Sequence, residues 1–486
     1  MFVLEAIKKY AGMNRTAIVS RGWELTYAQL DRRSDAFAAW LDEQYPNSTK
    51  PVIIYGDKHP DFLPCIFGAL KSGRAYVPVD SVVPRSRMAE IEAEISPDVV
   101  VDFTVPDGGV LKSILQTAPA AQIPRGRWVS GSDTVYILFT SGSTGKPKGV
   151  PVTAANLDSF YRGLIPFMGD EGGVILDQVS YSFDVSGCSV YAGISRGMTL
   201  ISLDRETVED MPAMFDFLRG SGLTTWVSTP SFAEICARSK VFTSELMPKL
   251  ERFLFCGEVL PGRLCAELNE RFPGAGVLNA YGPTEATVMV TAIWVTPEMH
   301  GDPRGVPIGS PIGGVKLKLD TENGGELLIL GDQVAPCYLE RPELTAERFF
   351  TDAETGLRGY RTGDICTEEN GLYYYRGRRD NQLKLHGHRI ELEDIESNLA
   401  RVENIAQAAV IPVWENGRAQ YLAAFVLLKQ DDGLTSLKRT IEIKKHAGEY
   451  LPAYMIPRKI ITLDAFPLNI NGKVDKKELA ARLDAK

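Results

Sequence analysis

The sequence lacks most of the features that would place it in a membrane, on nucleic acid or around a metal. No run of about eighteen apolar residues occurs, so no stretch reads as a membrane span. The opening MFVLEAIKKYAG reads as an amphipathic helix and lacks a signal peptide's basic start and apolar centre. Only 5 histidines are present and none are spaced as HExxH. The 7 cysteines are scattered without a CxxC pair, which disfavours zinc and predicts reduced thiols in a cytoplasmic enzyme. Positive charge is not in excess: 53 Lys+Arg face 62 Asp+Glu, a net of −9, which argues against nucleic-acid binding. Internal repeats, low-complexity tracts and long linkers are also missing.

Against this background one decapeptide stands out. Residues 140–149 read TSGSTGKPKG, with three glycines, four hydroxyl residues and two lysines, between the apolar runs 135–139 and 150–152. Backbone N–H groups, hydroxyls and ammonium groups at this density can wrap an oxyanion. The loop fails the usual triphosphate motif, which needs Gly-Lys followed by Ser or Thr and a helix. Here Pro147 follows Lys146, and Val150 and Val152 predict a second strand. The expected unit is strand-loop-strand, a clasp and not a rigid cradle.

Residues 1–130 alternate helix and strand signals. Thr26 precedes the amphipathic YAQLDRRSDAFAAWLDEQ, then PVIIYG, DFLPCIFGALKSG with its stop at Gly73, and AYVPVD follow. The strands GMTLISL, TTWVS, RFLFCG and GVLNAY continue the alternation, which predicts mostly parallel, covered sheets. From about Glu326 the strands shorten into a small β-subdomain, and after Asp380 a compact α+β segment follows. The expected fold is α/β: a large domain over 1–380 and a small mobile domain over 381–486, hinged at Asp380. Residues 381–486 hold 16 Lys+Arg and 14 Asp+Glu, a net of +2, leaving −11 on the rest. A mildly basic tail can steer an acidic partner.

Four more motifs accompany the loop. They are NAYGPTE at 279–285, YRTGD at 360–364, GRRDNQLK at 377–384 and NGKVD at 471–475. In order and spacing this set resembles the adenylate-forming superfamily over nearly the whole chain. LTYAQLDRRS at 25–34, LKSGRAYVPVD at 70–80 and GELLILGDQVAPCYLERPELT at 325–345 also fit. The resemblance implies activation of a carboxylate with ATP and Mg²⁺. Two anions must then meet, so the site has to supply positive charge. It implies that Thr140, Ser141, Gly142, Ser143, Thr144, Gly145 and Lys148 clasp the β- and γ-phosphates. Tyr281, flanked by Gly282 and Thr284, would stack on adenine, and Asn279 would meet its exocyclic amine. Asp364 would accept from the ribose hydroxyls with Arg378 nearby, and Glu285 would help hold Mg²⁺. Lys473 would bridge the acyl carboxylate and the nucleotide as the catalytic residue. In a second pose the 381–391 segment would replace it, so that a thiol can attack the acyl adenylate.

The resemblance also places a substrate pocket. Asp184, in YSFDVS, would pair with the α-ammonium of an amino acid, because a buried unpaired carboxylate is costly. The other positions are Val185, Cys188, Val227, Leu254, Cys256, Ala280, Val288 and Met289, none charged or large and aromatic. A small to medium neutral amino acid is expected. TWVSTPSF, FLFCGEVLP and NAYGPTEATV resemble family members that load D-alanine onto a free-standing carrier, which implies that Cys256 crowds the α-carbon. Cys188 and Met289 depart from that pattern and redistribute volume. L-alanine, proline or serine, and an acyl-CoA synthetase, stand as alternatives. With no attachment-serine motif after the small domain, the expected acceptor is a separate carrier protein bearing phosphopantetheine.

Overall fold

The computed structural model describes residues 1–105, 114–115, 122–142, 145–380, 382–385, 387–415, 418–467 and 474–484. It divides into two compact units. The first gathers Met1–Ser81, Ile95–Leu138 and Gly149–Arg379, and the second Val82–Glu94, Phe139–Lys148 and Asp380–Lys486.

The first unit is layered α/β. One five-stranded sheet runs Val99–Asp102, Val52–Gly56, Tyr76–Asp80, Thr134–Thr140, Lys148–Thr153, the last two strands reaching into the segment assigned to the second unit. Val52–Gly56 pairs parallel with both its neighbours. All five residues of Val52–Gly56 and of Tyr76–Asp80 are buried, as a parallel sheet covered on both faces requires. The nine-stranded sheet carries Gly276–Tyr281, Arg252–Phe255, Thr225–Ser228, Val174–Asp177 and Thr199–Ser202 side by side at its centre. Within it Val227 lies opposite Leu254, and Leu254 opposite Leu278.

Local signals account for the element ends. Helix Tyr27–Gln44 starts on a capping box. Thr26 Oγ1 accepts from the Gln29 amide at 3.2 Å, and Gln29 Oε1 accepts from the Thr26 amide at 2.8 Å. Helix Phe62–Lys71 stops before Gly73, which sits at φ 79°, where a side chain would also meet the Arg127 carbonyl at 2.9 Å. The expected β-subdomain is an antiparallel five-stranded sheet built from Lys316–Asp320, Glu326–Leu330, Arg358–Glu369, Phe349–Thr351 and Leu372–Arg378.

The second unit contains the hairpin Gln382–Leu385 and His388–Glu391, and a three-stranded sheet of Ile405–Glu415, Arg418–Leu428 and Lys459–Thr462. Helices Leu392–Leu399 and Ser436–Ala447 contribute Ile395, Leu399 and Ile443 to its own apolar core. Among the described residues, no helix is long and apolar enough to cross a membrane.

Candidate functional site

Parallel strands end where ligands of open α/β sheets gather, and the expected pocket residues lie there. Val227, Leu254 and Ala280 come from the three adjacent strands Thr225–Ser228, Arg252–Phe255 and Gly276–Tyr281. Cys256 directly follows the second. Val185, Cys188, Val288 and Met289 join them in one continuous apolar cluster, every member almost fully buried. Cys256 Sγ lies 3.8 Å from the Val288 carbonyl oxygen. Burial, then Cys256 and Asp184, push the Cys188 thiol well above its usual range, so it stays neutral.

Asp184 is held by its own neighbours. The Thr284 hydroxyl donates to Asp184 Oδ2 at 2.7 Å, which ties the YGPTE motif to the charged residue among the expected pocket positions. On either side of Asp184, Tyr181 and Ser189 both donate to the buried Asp177, at 2.8 and 3.1 Å. Asp177 in turn pairs with Lys58 at 2.7 Å, both side chains at most 1% exposed. The Lys58 ammonium lies 3.7 Å from the Tyr181 ring centroid. Burial lowers the Lys58 pKa, against the pull of Asp177. This buried knot fixes the segment that presents Asp184, and no sequence motif announced it.

The expected nucleotide residues of the first unit also converge. Asp364 takes the Tyr281 hydroxyl on Oδ2 at 2.5 Å and the Arg378 guanidinium on Oδ1 at 2.6 Å. Burial, then Asp364, push the Tyr281 phenol well above its ordinary value. Asn279 is buried and donates from Nδ2 to the Pro307 carbonyl at 2.8 Å. Glu285 is fully buried, its Oε1 taking the Tyr338 hydroxyl at 2.6 Å, and Tyr338 lies 3.1 Å from the Tyr360 hydroxyl. Tyr338 lies in GDQVAPCYLERPEL, a string that was legible as a family signature without any role for its tyrosine. Among the described residues, no group of three or more His, Cys, Asp and Glu could hold a metal ion.

Residues 140–148 of the expected phosphate loop belong to the second unit. Its strands, Thr134–Thr140 and Lys148–Thr153, are the expected strand-loop-strand. The Gly145 amide donates to the Gly142 carbonyl at 3.0 Å, and a Cβ on Gly142 would lie 2.2 Å from the Lys146 carbonyl oxygen. Lys148 Nζ donates to Glu391 Oε1 at 2.8 Å, with both side chains about nine-tenths buried. Ser141 Oγ donates to the Arg389 carbonyl at 3.2 Å and accepts from the Glu391 amide at 3.1 Å. Asp380 is exposed and accepts from the Gln382 amide at 3.3 Å. Ser143, Thr144 and Lys473 lie outside the described residues.

Comparison with known proteins gives the family. The AMP-binding enzyme family model matches residues 5–339, and the model of the AMP-binding enzyme C-terminal domain matches 394–473. The chain is 39% identical to a D-alanine–D-alanyl carrier protein ligase of Bacillus mycoides, with 100% of each chain covered. A ligase of the same name from Bacillus cytotoxicus is likewise 39% identical over 100% of both chains. Among solved structures, the Vibrio cholerae adenylation domain AlmE, in complex with glycyl-adenosine-5'-phosphate, superposes with a TM-score of 0.82. It covers 100% of this chain and 97% of its own at 22% identity, a likeness of fold. By its fold, its assembled motifs and its full-length relatives, the chain belongs to the AMP-binding enzyme family.

Proposed function

We propose that this enzyme activates D-alanine with ATP and passes it to the phosphopantetheine thiol of a separate carrier protein. A D-alanine carboxylate oxygen attacks the α-phosphorus, the bond to the bridging oxygen breaks, and pyrophosphate leaves. The carrier thiolate then attacks the acyl carbon of D-alanyl-AMP, and AMP leaves on its phosphate oxygen. The observation that carries this reading is Asp184. It is a carboxylate that accepts from Thr284 and lies near the Cys188 thiol, whose pKa it helps to raise, while the other proposed pocket residues are neutral, a place for one ammonium group and a short side chain. The names of the full-length relatives support the same substrate and acceptor. Cys256, buried between strand end and Val288, is the residue that would crowd the α-carbon and favour the D form.

Residues 1–380 would bind ATP and the amino acid, and 381–486 would turn about Asp380 to bring Lys473 to the reacting carboxylate. Thr140, Ser141, Gly142, Ser143, Thr144, Gly145 and Lys148 would clasp the leaving phosphates. Tyr281, Asn279, Gly282 and Thr284 would receive adenine, and Asp364 with Arg378 the ribose. Mg²⁺ would screen the phosphate charge, and Glu285 could serve it as a hard oxygen donor. The Tyr338 hydroxyl already fixes the orientation of that carboxylate. In the second half-reaction, when pyrophosphate has gone, Lys148 would keep the Glu391 carboxylate as its partner. Seven cysteines held as thiols and the use of ATP fit a cytoplasmic setting.

The test is amino-acid-dependent pyrophosphate exchange across D- and L-amino acids, with simple carboxylic acids as controls. D-alanine is expected to support the fastest exchange. Faster exchange with another small amino acid reassigns the substrate, and exchange driven only by simple acids removes the ammonium argument.

A further inference from the structure

We infer that Gln333 is a positioning residue for amino-acid selection: it clamps a strained turn, Thr287 to Met289, that forms one wall of the pocket. The inference rests on the reading of that pocket as a D-alanine site. The Met289 amide donates to the Thr287 carbonyl at 3.0 Å, which closes a three-residue turn around Val288. Thr287 has φ 57° and Val288 φ 72°. Both residues are β-branched, for which left-handed backbone is an outlier. A three-residue turn with positive φ at its centre is the strained kind.

Such backbone persists only where its surroundings over-determine it. Here one short segment, 332–335, does so. The Ala335 amide donates to the Glu285 carbonyl at 2.8 Å, and Thr287 Oγ1 donates to the Gln333 carbonyl at 2.7 Å. Gln333 Nε2 donates to the Met289 carbonyl at 3.3 Å from a side chain with no solvent exposure. A flipped amide would set oxygen against oxygen, so the contact itself selects this orientation. Asn156 anchors the segment from below, donating to the Asp332 and Val334 carbonyls at 2.6 and 3.1 Å.

The turn's other side is the pocket. The Val288 carbonyl faces Cys256 Sγ, and a Cβ on Gly187, three residues after Asp184, would touch Val288 Cγ2 at 3.4 Å. Where the turn sits therefore sets the space between Cys256 and the segment that carries Asp184. Releasing the clamp lets Val288 relax toward ordinary backbone and blurs that space.

The test uses the full-length enzyme and pyrophosphate exchange with D-alanine, L-alanine and D-valine. Wild type is measured first: no preference for D-alanine overturns the substrate reading itself. Gln333→Met keeps the volume and removes the donor. It is expected to raise KM for D-alanine about tenfold and to lower the preference over D-valine by a similar factor, with KM for ATP unchanged. Thr287→Val is expected to act alike, and Thr287→Ser, which keeps the hydroxyl, to behave as wild type. Unchanged preference in folded variants overturns the clamp alone, as does a parallel rise in KM for ATP. If Gln333→Met does not fold, the Thr287→Val and Thr287→Ser pair decides by the same readouts.

Discussion

The walls proposed for the amino-acid pocket are Val185, Cys188, Val227, Leu254, Cys256, Ala280, Val288 and Met289, all nearly inaccessible and none charged. The loop proposed to clasp the phosphates presents Ser141 and Lys148, whose partners include a backbone carbonyl, a backbone amide and the carboxylate of Glu391. On the proposed reading the first surface would recognise by fixed shape. Packed side chains and a strained turn have no second arrangement of similar energy. The second would recognise by polar contacts whose partners are exchanged during the reaction. A single hydrogen bond swapped for another changes stability by only about 0.5–1.5 kcal/mol net. A chain that must keep its amino acid through two reactions and yet release pyrophosphate between them benefits from one surface of each kind.

The sharpest way to break this comparison is at Lys473, which the proposal assigns to the first half-reaction alone. Lys473→Ala is expected to slow D-alanine-dependent pyrophosphate exchange by about a thousandfold, the loss of one aimed positive charge on a transition state. Thioester formation from supplied D-alanyl-AMP is expected to proceed. Equal losses in the two assays would show that a single pose serves both reactions.

Asp184 tests the fixed surface. Asp184→Asn keeps an acceptor for Thr284 and removes the charge. Losing one member of a buried charge pair costs about 2–5 kcal/mol, so kcat/KM for D-alanine is expected to fall about a hundredfold or more. KM for ATP is expected to hold. A variant that exchanges pyrophosphate at the wild-type rate would mean that the ammonium finds its partner elsewhere.

Local pattern made much of this visible in the sequence. The Thr26 box, the stop at Gly73 and the short strands 225–228, 252–255 and 276–281 follow from propensity and burial over neighbouring residues. The expected pocket positions came from the resemblance, and the fold gathers the uncharged ones into one apolar cluster. What could not be read are contacts made across the chain. Thr284 reaches Asp184 over 100 residues, Lys58 reaches Asp177 over 119, and Thr287 reaches Gln333 over 46. None of these residues carries a local signal for its partner. The left-handed backbone at Thr287 and Val288 runs against their propensity, and a sequence reading would place ordinary strand there. Glutamine at 333 looks like any surface polar residue until its burial is known.

Glu391 offers the mildest perturbation, and it separates exchangeable contacts from structural ones. Glu391→Gln retains an oxygen for Lys148 and removes the charge, while the Glu391 amide still donates to Ser141. If Lys148 alternates between this carboxylate and the departing phosphates, neutralising the carboxylate weakens only the pose that follows pyrophosphate release. Transfer to the carrier thiol is then expected to slow about fivefold, on the order of 1 kcal/mol for one charge-assisted hydrogen bond. Pyrophosphate exchange is expected to stay level or rise, because the lysine is released to the phosphates. The measurement is single-turnover aminoacylation of the carrier beside the exchange assay. A matching fall in both rates would make the pair part of the fold's framework, and the phosphate loop would then be as fixed as the pocket.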